Sequence, residues 1–392
     1  MTVLFCALGI YSSVGGIQRF NERVVKCLGE LGDTFITSAS VLVLWDNSQD
    51  QQKVAPGVRF LPCGRRKLRM LLRFAWTILR QKPDVILYGH TLLTPLATIA
   101  HYLAPHARQV LFVHGVEAWE EPRLFERKIV SRFIHHIVSV SRFTALRMLQ
   151  AYGLDCSRFM VLPNAVDLAE EEPGKPLGKT RLEGKDRLLT VSRLEDKYKG
   201  HHKIISSLKN VLPLFPETHY YVVGHGPLAE ELRTQAEADG VAPNVHFLGY
   251  VDDWTLNAMY ESCDIFVMPS KGEGFGIVFL EAWKHRMPVI GGNQDASSEV
   301  IQHDVSGLLV NPDSTEEIGT AIRALLSDRN RRIALGEAGH RSLREKYTQA
   351  HFKKRLGEGL MYIVGVENGA RQGGSQAAPA NGSADAAIRV RR

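Results

Sequence analysis

Glu273 and Glu281 are separated by seven residues, which run through a glycine-rich loop into an apolar, helix-patterned stretch. The run Asp264-Ile-Phe-Val-Met268 has the composition of a buried strand, and Pro269-Ser-Lys-Gly-Glu-Gly-Phe-Gly276 follows it. Gly272, Gly274 and Gly276 let the backbone turn sharply and let a ligand approach it closely. Ile277, Phe279, Leu280 and Trp283 then recur at helical spacing, so a helix start points its unpaired N–H groups and its dipole at the loop. That end suits an anion, and the two carboxylates suit hydroxyl groups on either side of it. Phosphate on backbone with hydroxyls on two acids is the chemistry of a sugar nucleotide. Glu273, Gly274, Phe275, Gly276 and Glu281 are therefore the first candidate binding residues.

The elements that must position these groups are legible along the whole chain. Its 392 residues exceed one ordinary core and favour two domains. Short apolar runs alternate with helix-length amphipathic segments, as in doubly wound parallel sheets of the α/β class. The pattern predicts strands at 3–10, 35–45, 58–63, 84–90, 109–115, 136–141 and 159–163, then at 187–192, 219–224, 245–250, 264–269, 288–291 and 307–310. This places an N-terminal Rossmann-like domain over 1–168, a linker rich in Pro, Gly and charge over 169–186, and a C-terminal domain over 187–347. The two are expected to face each other across a cleft. The Gly- and Ala-rich end, 365–392, is expected to be disordered.

No apolar run is long enough for a membrane-spanning helix, and the opening residues read as a first strand rather than a signal peptide. Five scattered cysteines without C-x-x-C spacing argue for a reducing, cytoplasmic setting without disulfides or zinc. Charge is uneven. Residues 1–170 hold 20 Lys and Arg against 13 Asp and Glu, whereas residues 171–365 hold 24 against 27. The first half is thus suited to an anionic partner, such as a lipid surface or a polyphosphate-linked acceptor. The basic stretch Arg65–Arg80 carries apolar residues at 68, 71, 72, 75, 76 and 79 on one helical face. That face suits either an anionic membrane or the underlying sheet.

Ligands of doubly wound sheets bind outside the C-terminal strand ends, so the polar residues just after each strand carry the most weight. After 3–10 comes Gly15-Gly16 before a helix start, which permits backbone approach to a phosphate. Gly9, Gly15 and Gly16 do not make G-x-G-x-x-G, which disfavours a nicotinamide or flavin enzyme. After 109–113 comes His114-Gly-Val-Glu117-Ala-Trp119, with His114 facing the cleft by topology. His90, ending 84–89, is a weaker cleft candidate. No D-x-D occurs to hold a divalent ion on a diphosphate.

These segments resemble glycosyltransferase family 4, the group 1 retaining enzymes of GT-B fold. Ser270-Lys-Gly-Glu-Gly-Phe-Gly276 through Glu281 is similar to the family's E-x7-E segment, and Arg193-Leu194 with Lys199-Gly200 is similar to its G-R-L…K-G segment, with Ser192 replacing the usual Gly. Tyr221-Val-Val-Gly-His-Gly-Pro227 resembles its V-G-x-G-P turn. The resemblance runs from residue 3 to about 350 and is densest over 187–310.

It implies that Arg193 and Lys199 hold the donor's diphosphate, with Lys197 a neighbouring competitor. It also implies that Glu273 and Glu281 hold sugar and ribose hydroxyls, that Gly224 lies near the nucleotide, and that the backbone at Val251 meets the base. The Gly15-Gly16 loop would lie against donor phosphate and acceptor, and His114 near the reacting carbon, with Glu117 and Trp119 on the acceptor side. The helix over 348–364 is expected to cross back to the first domain.

The implied activity is metal-independent transfer of a hexose from GDP-mannose or a UDP-hexose to a glycan or polyprenyl-linked saccharide, in cell-surface polysaccharide or glycolipid synthesis. The setting would be cytoplasmic, with peripheral membrane contact and no nucleic acid. Preplaced cations would stabilise the charge on the departing oxygen in place of a metal. Two rival readings are a nucleotide-sugar epimerase of the same fold and a non-catalytic basic binding module.

Overall fold

The computed structural model describes residues 1–12, 15–32, 34–168 and 182–365. It divides into two compact units, Met1–Asn164 with the segment from Gln349, and Ala165–Thr348. Most of the stretch read as a linker, and all but the first residue of the tail, lie outside the described residues.

The N-terminal unit is built on seven strands: β1 (Thr2–Ala7), β2 (Ser38–Val43), β3 (Val58–Pro62), β4 (Val85–Tyr88), β5 (Arg108–Val113), β6 (His136–Ser139) and β7 (Phe159–Val161). The order is β3-β2-β1-β4-β5-β6-β7, and neighbouring strands all pair in parallel. Parallel strands covered by helices on both faces read as continuous apolar runs. Val3 to Ala7 obey this, each being fully buried.

The C-terminal unit repeats the plan with β8 (Asp186–Val191), β9 (Thr218–Val223), β10 (Val245–Gly249), β11 (Ile265–Met268), β12 (Val289–Gly292) and β13 (Leu308–Val310). Its order is β10-β9-β8-β11-β12-β13. In each sheet the winding direction reverses once, between β1 and β4 and between β8 and β11. Open α/β sheets form their binding crevice at that switch, outside the C-terminal strand ends. The loops after β1, β4 and β5, and those after β8, β11 and β12, are therefore the positions built for chemistry.

The helix Gln349–Ile363 belongs to the N-terminal unit. Phe352 packs edge-on against Phe20 at 5.3 Å, and Phe20 in turn meets Phe112 at 5.2 Å, so the last helix is stitched into the core under β5.

The helix Lys67–Gln81 bears on the two readings left open for its apolar stripe. Met70, Phe74, Thr77 and Ile78 face the sheet, not the stripe at 68, 71, 72, 75, 76 and 79. Leu68, Leu72 and Leu79 remain 68, 63 and 58% exposed. The helix has two apolar faces, and only one is covered within the unit.

Candidate active site

In the C-terminal unit the ends of β8, β11 and β12 bring three acidic and basic side chains together. Lys199 closes a short 3-10 turn after β8, and its ammonium pairs with the Glu273 carboxylate from the loop after β11. Both side chains are largely buried, at 18 and 12% exposure. The Lys199 ammonium also lies 4.9 Å from the centre of the Tyr198 ring.

Burial alone would lower the lysine's pKa. The Glu273 carboxylate outweighs it, helped by Tyr198 and Asp295, and holds Lys199 above its ordinary value. The ammonium is thus retained in a dry site, where a charge acts over a low dielectric.

Asp295, in the loop after β12, fixes the Glu273 backbone. It accepts the Glu273 N–H at 2.7 Å and the Ser297 N–H at 2.9 Å, while the Ala296 N–H donates to the Glu273 carbonyl at 3.2 Å. Burial, and then the neighbouring Glu273 charge, push the Asp295 carboxyl up to about 6. Gly276 has φ +87°, the left-handed region, and caps the helix Ile277–Lys284, so the loop turns directly into the helix start. Gly274 and Phe275 are buried beside it, with Phe275 edge-on to Tyr347 at 5.7 Å. Glu281, farther along the helix, accepts from the Tyr260 hydroxyl at 3.1 Å.

The other donor-side candidates are not all drawn into this cluster. Arg193 is exposed and pairs with Glu195 at 2.9 Å. Lys197, the competitor for the lysine role, pairs with Glu231 at 2.5 Å, and both are well exposed. Gly224 donates its N–H to the Gly249 carbonyl at 2.8 Å, tying the turn after β9 to the end of β10, and Val251 follows two residues on.

Beneath the Lys199 turn lies a buried chain of polar groups. The His201 ring meets the Ser192 hydroxyl at 2.7 Å with Nε2 and the Tyr220 hydroxyl at 2.8 Å with Nδ1, and Tyr220 donates to Thr190 at 2.9 Å. Burial, followed by the charge of Lys199, drives His201 down to about 3, so its ring is neutral and Lys199 keeps the charge. His201 is therefore a packing residue that locks the residues from Ser192 to Lys199.

The N-terminal unit has a sparser site. Its imidazole is His114, at the end of β5. Nε2 lies 3.0 Å from the Gly89 carbonyl, and the ring stands edge-on to Phe20 at 4.9 Å. Burial lowers its pKa, against the opposing pull of Glu117 and the Gly89 carbonyl. Glu117 accepts the backbone N–H groups of His114 and Gly115, and Trp119 donates to Thr144 at 3.2 Å. Both side chains thus brace the loop that carries His114. His90 accepts the Leu92 N–H at 3.1 Å and caps the turn after β4.

Gly15 precedes the helix Gly16–Glu30, whose first residue is Gly16. The loop leading to it is anchored by Asp46, a buried carboxylate just past β2. Asp46 accepts N–H groups from Ile10 at 3.2 Å, Tyr11 at 2.9 Å and Ser12 at 3.2 Å. Asp46 and Asp295 were not among the sequence candidates. Their signal was position: each is a polar residue shortly after a strand's C-terminal end.

Comparison with known proteins identifies the family. The family description "Glycosyl transferases group 1" matches residues 178–342, and "Glycosyltransferase Family 4" matches residues 14–170. A GDP-mannose-dependent alpha-(1-6)-phosphatidylinositol monomannoside mannosyltransferase of Mycobacterium tuberculosis is 33% identical over 263 residues, covering 62% of this chain and 68% of that protein. The chain belongs to the group 1 glycosyltransferases. As a member it is a hexosyltransferase.

A sulfoquinovosyl transferase of Arabidopsis thaliana is 25% identical to this glycosyltransferase over 381 residues, covering 88% of the chain and 70% of that relative. Among solved structures, Anabaena HepE in complex with UDP and glucose superposes with a TM-score of 0.75 at 19% identity, covering 92% of this chain and all of the other. Sucrose-phosphate synthase from Thermosynechococcus elongatus gives 0.75 at 15% identity, covering 93 and 100%. At such identities the likeness carries the fold, and the glycosyltransferase is a two-domain α/β protein of GT-B type.

Proposed function

We propose that this enzyme transfers a hexose, with GDP-mannose as the leading donor, to a hydroxyl of a glycolipid or other lipid-linked saccharide, with retention at the anomeric carbon and without a metal. The observation that carries the reading is the buried Lys199–Glu273 pair at the switch point of the C-terminal sheet. The donor's diphosphate takes Lys199 and Arg193 as counter-cations and the start of the helix Ile277–Lys284 as a backbone cradle. Glu273 accepts hydroxyls of the sugar, Glu281 those of the ribose, and the turn from Gly224 to Val251 meets the base.

As the sugar–diphosphate bond breaks, negative charge grows on the leaving phosphate oxygen, and a fixed ammonium stabilises that oxygen more than it does the ground state. The acceptor hydroxyl attacks from the side the phosphate leaves and gives its proton to it. His114 and the Gly15–Gly16 loop serve the acceptor. Support for the donor comes from the relative at 33% identity, which is GDP-mannose-dependent. The UDP in the HepE structure keeps UDP-hexoses as the alternative.

Among the described residues no helix is long and apolar enough to cross a membrane. The exposed stripe Leu68, Leu72, Trp76 and Leu79 supports peripheral attachment instead. Arg59 and Arg80 lie over the Trp76 ring at 5.4 and 5.6 Å, and Arg66, Lys67 and Arg69 stand at the helix start. An apolar stripe ringed by cations is suited to the anionic inner face of a membrane, where a lipid-linked acceptor sits.

A thermal-shift screen over GDP-, UDP- and ADP-sugars tests the donor. GDP-mannose is expected to stabilise the protein most, and equal indifference to all three would overturn the reading. Flotation with phosphatidylserine vesicles tests attachment, which Leu68→Gln with Leu72→Gln is expected to abolish. Transfer of label to a saccharide acceptor, rather than epimerised donor, separates this function from the epimerase.

A further inference from the structure

The C-terminal sheet carries a second polar cluster at the end opposite its donor loops. His219 is the second residue of β9 and His246 the second of β10, the edge strand, while Glu183 lies in the segment leading into β8. One ligand atom from each of the three lies within 4.8 Å of the other two. His219 Nδ1 and His246 Nε2 are 2.7 Å apart, and the rings meet edge to edge, centroids 5.0 Å apart with 16° between planes. From His219 to the Gly224 turn the chain runs the length of β9, about 13–16 Å at a strand's rise per residue. The cluster therefore belongs to neither the phosphate nor the base end of the site described above.

Three features hold these groups in place. Tyr221, on the same face of β9 as His219, stacks on His246 at 4.6 Å and donates its hydroxyl to the Glu183 carbonyl at 2.9 Å. Gly184 has φ +76°, and a Cβ there would meet His219 Cδ2 at 2.3 Å and the Glu217 carbonyl at 2.6 Å. Only glycine lets the chain cross this close over the imidazole, and that crossing sets Glu183 beside the two rings. Both histidines are half-buried, while Glu183 is exposed and reachable from solvent.

We propose that Glu183, His219 and His246 bind a zinc-class divalent cation that fastens the entry to β8 to the edge of the sheet. Two imidazole nitrogens and one carboxylate oxygen form a three-ligand set that zinc accepts, with water in the fourth position. Imidazole and carboxylate favour zinc, nickel or cobalt over magnesium or calcium. Without metal the two rings share one hydrogen bond. On binding, the ring that donates moves its proton to its other nitrogen, so both lone pairs face the cation and no net proton leaves. The nitrogens then separate to about 3.3 Å, the spacing across a tetrahedral zinc at ordinary bond lengths. Ligation ties three chain segments together and stabilises the fold as any ligand of the native state does.

Calorimetric titration of zinc chloride into the chelator-stripped full chain tests this, alongside visible absorption with cobalt(II) in place of zinc. The expected result is one equivalent bound, a raised melting temperature and the absorption bands of four-coordinate cobalt. Glu183→Gln changes an exposed side chain and keeps the fold. Both it and His246→Ala are expected to weaken binding by more than the roughly 10- to 100-fold that loss of an outer-shell partner costs a zinc site. The donor-induced thermal shift should stay unchanged in Glu183→Gln. Absence of saturable zinc binding would overturn the proposal and leave a plain histidine–histidine hydrogen bond. Binding undiminished in both variants would overturn it equally, by locating the metal elsewhere.

Discussion

The two units share one plan and use their strand ends differently. In the C-terminal unit, side chains from three separate loops converge on one another: Lys199 and Glu273 form a charged, buried pair, and Asp295 braces the Glu273 backbone beside it. In the N-terminal unit the carboxylates turn inward. Asp46 and Glu117 spend their oxygens on backbone N–H groups and leave His114 as the chemical group at the loop ends. One sheet holds charges ready for a ligand of fixed chemistry; the other holds the shape of its loops. On the proposed function, a nucleoside diphosphate that is the same in every turnover would reward fixed charges, whereas acceptor recognition would fall to loop shape.

The contrast can be broken by substitution, starting with the largest effect. Glu273→Ala should cost about 10²–10³-fold in kcat, the range for loss of one preorganised transition-state contact, and should also erase the donor-induced thermal shift. His114→Ala should lower kcat by a similar factor and leave that shift intact. If both variants lose donor binding, the division of labour between the units is wrong.

Asp46→Ala comes next. It strands three N–H groups at the β1 loop, at about 1–3 kcal/mol for each donor that stays buried, as that of Ile10 does. In steady-state kinetics it should raise KM for acceptor more than KM for donor. A rise confined to the donor KM would place the loop on the wrong substrate.

A smaller, pH-dependent effect sharpens the comparison further. His201 is held down to about 3 from an ordinary 6.5, so the unfolded chain takes up its proton first as pH falls. Its contribution is present above 6.5 and is lost as pH falls toward 3. Asp295, raised from 3.8 to about 6, works in the opposite sense: its contribution is present below 3.8 and is lost as pH rises through 6. Urea unfolding at stepped pH should therefore show the C-terminal unit weakening under acid, with His201→Gln flattening that slope and Asp295→Asn steepening it. Unchanged slopes in both variants would contradict the assignment. Smallest of all, Arg193→Ala removes an exposed pair with Glu195 and should alter stability by about 1 kcal/mol or less while still weakening donor binding.

Much of this was legible in the sequence because parallel strands buried on both faces leave unbroken apolar runs between turn residues. All thirteen predicted strands occur, most of them a residue or two shorter. The Lys199–Glu273 pair had a local signal as well, since each residue falls in a short motif, whereas Arg193 from the same motif as Lys199 stands outside the cluster. What escaped were partnerships set by topology. Asp46 caps a loop 34 to 36 residues earlier in the chain, and Asp295 holds Glu273 across 22 residues. Neither distance carries a periodicity. The helix Lys67–Gln81 stayed open for a related reason: it has two apolar stripes, and hydrophobic pattern alone does not say which one meets the sheet.

The account rests on Lys199 as the cation that steadies the departing diphosphate. The most direct measurement is the single-turnover rate of Lys199→Ala and of the unaltered enzyme, each with EDTA and with magnesium, with folding checked by circular dichroism. The account predicts a loss of about 10²–10³-fold in the variant and an unaltered enzyme that keeps its rate under EDTA. A variant that transfers at full rate, or an unaltered enzyme silenced by EDTA and restored by magnesium, would contradict it.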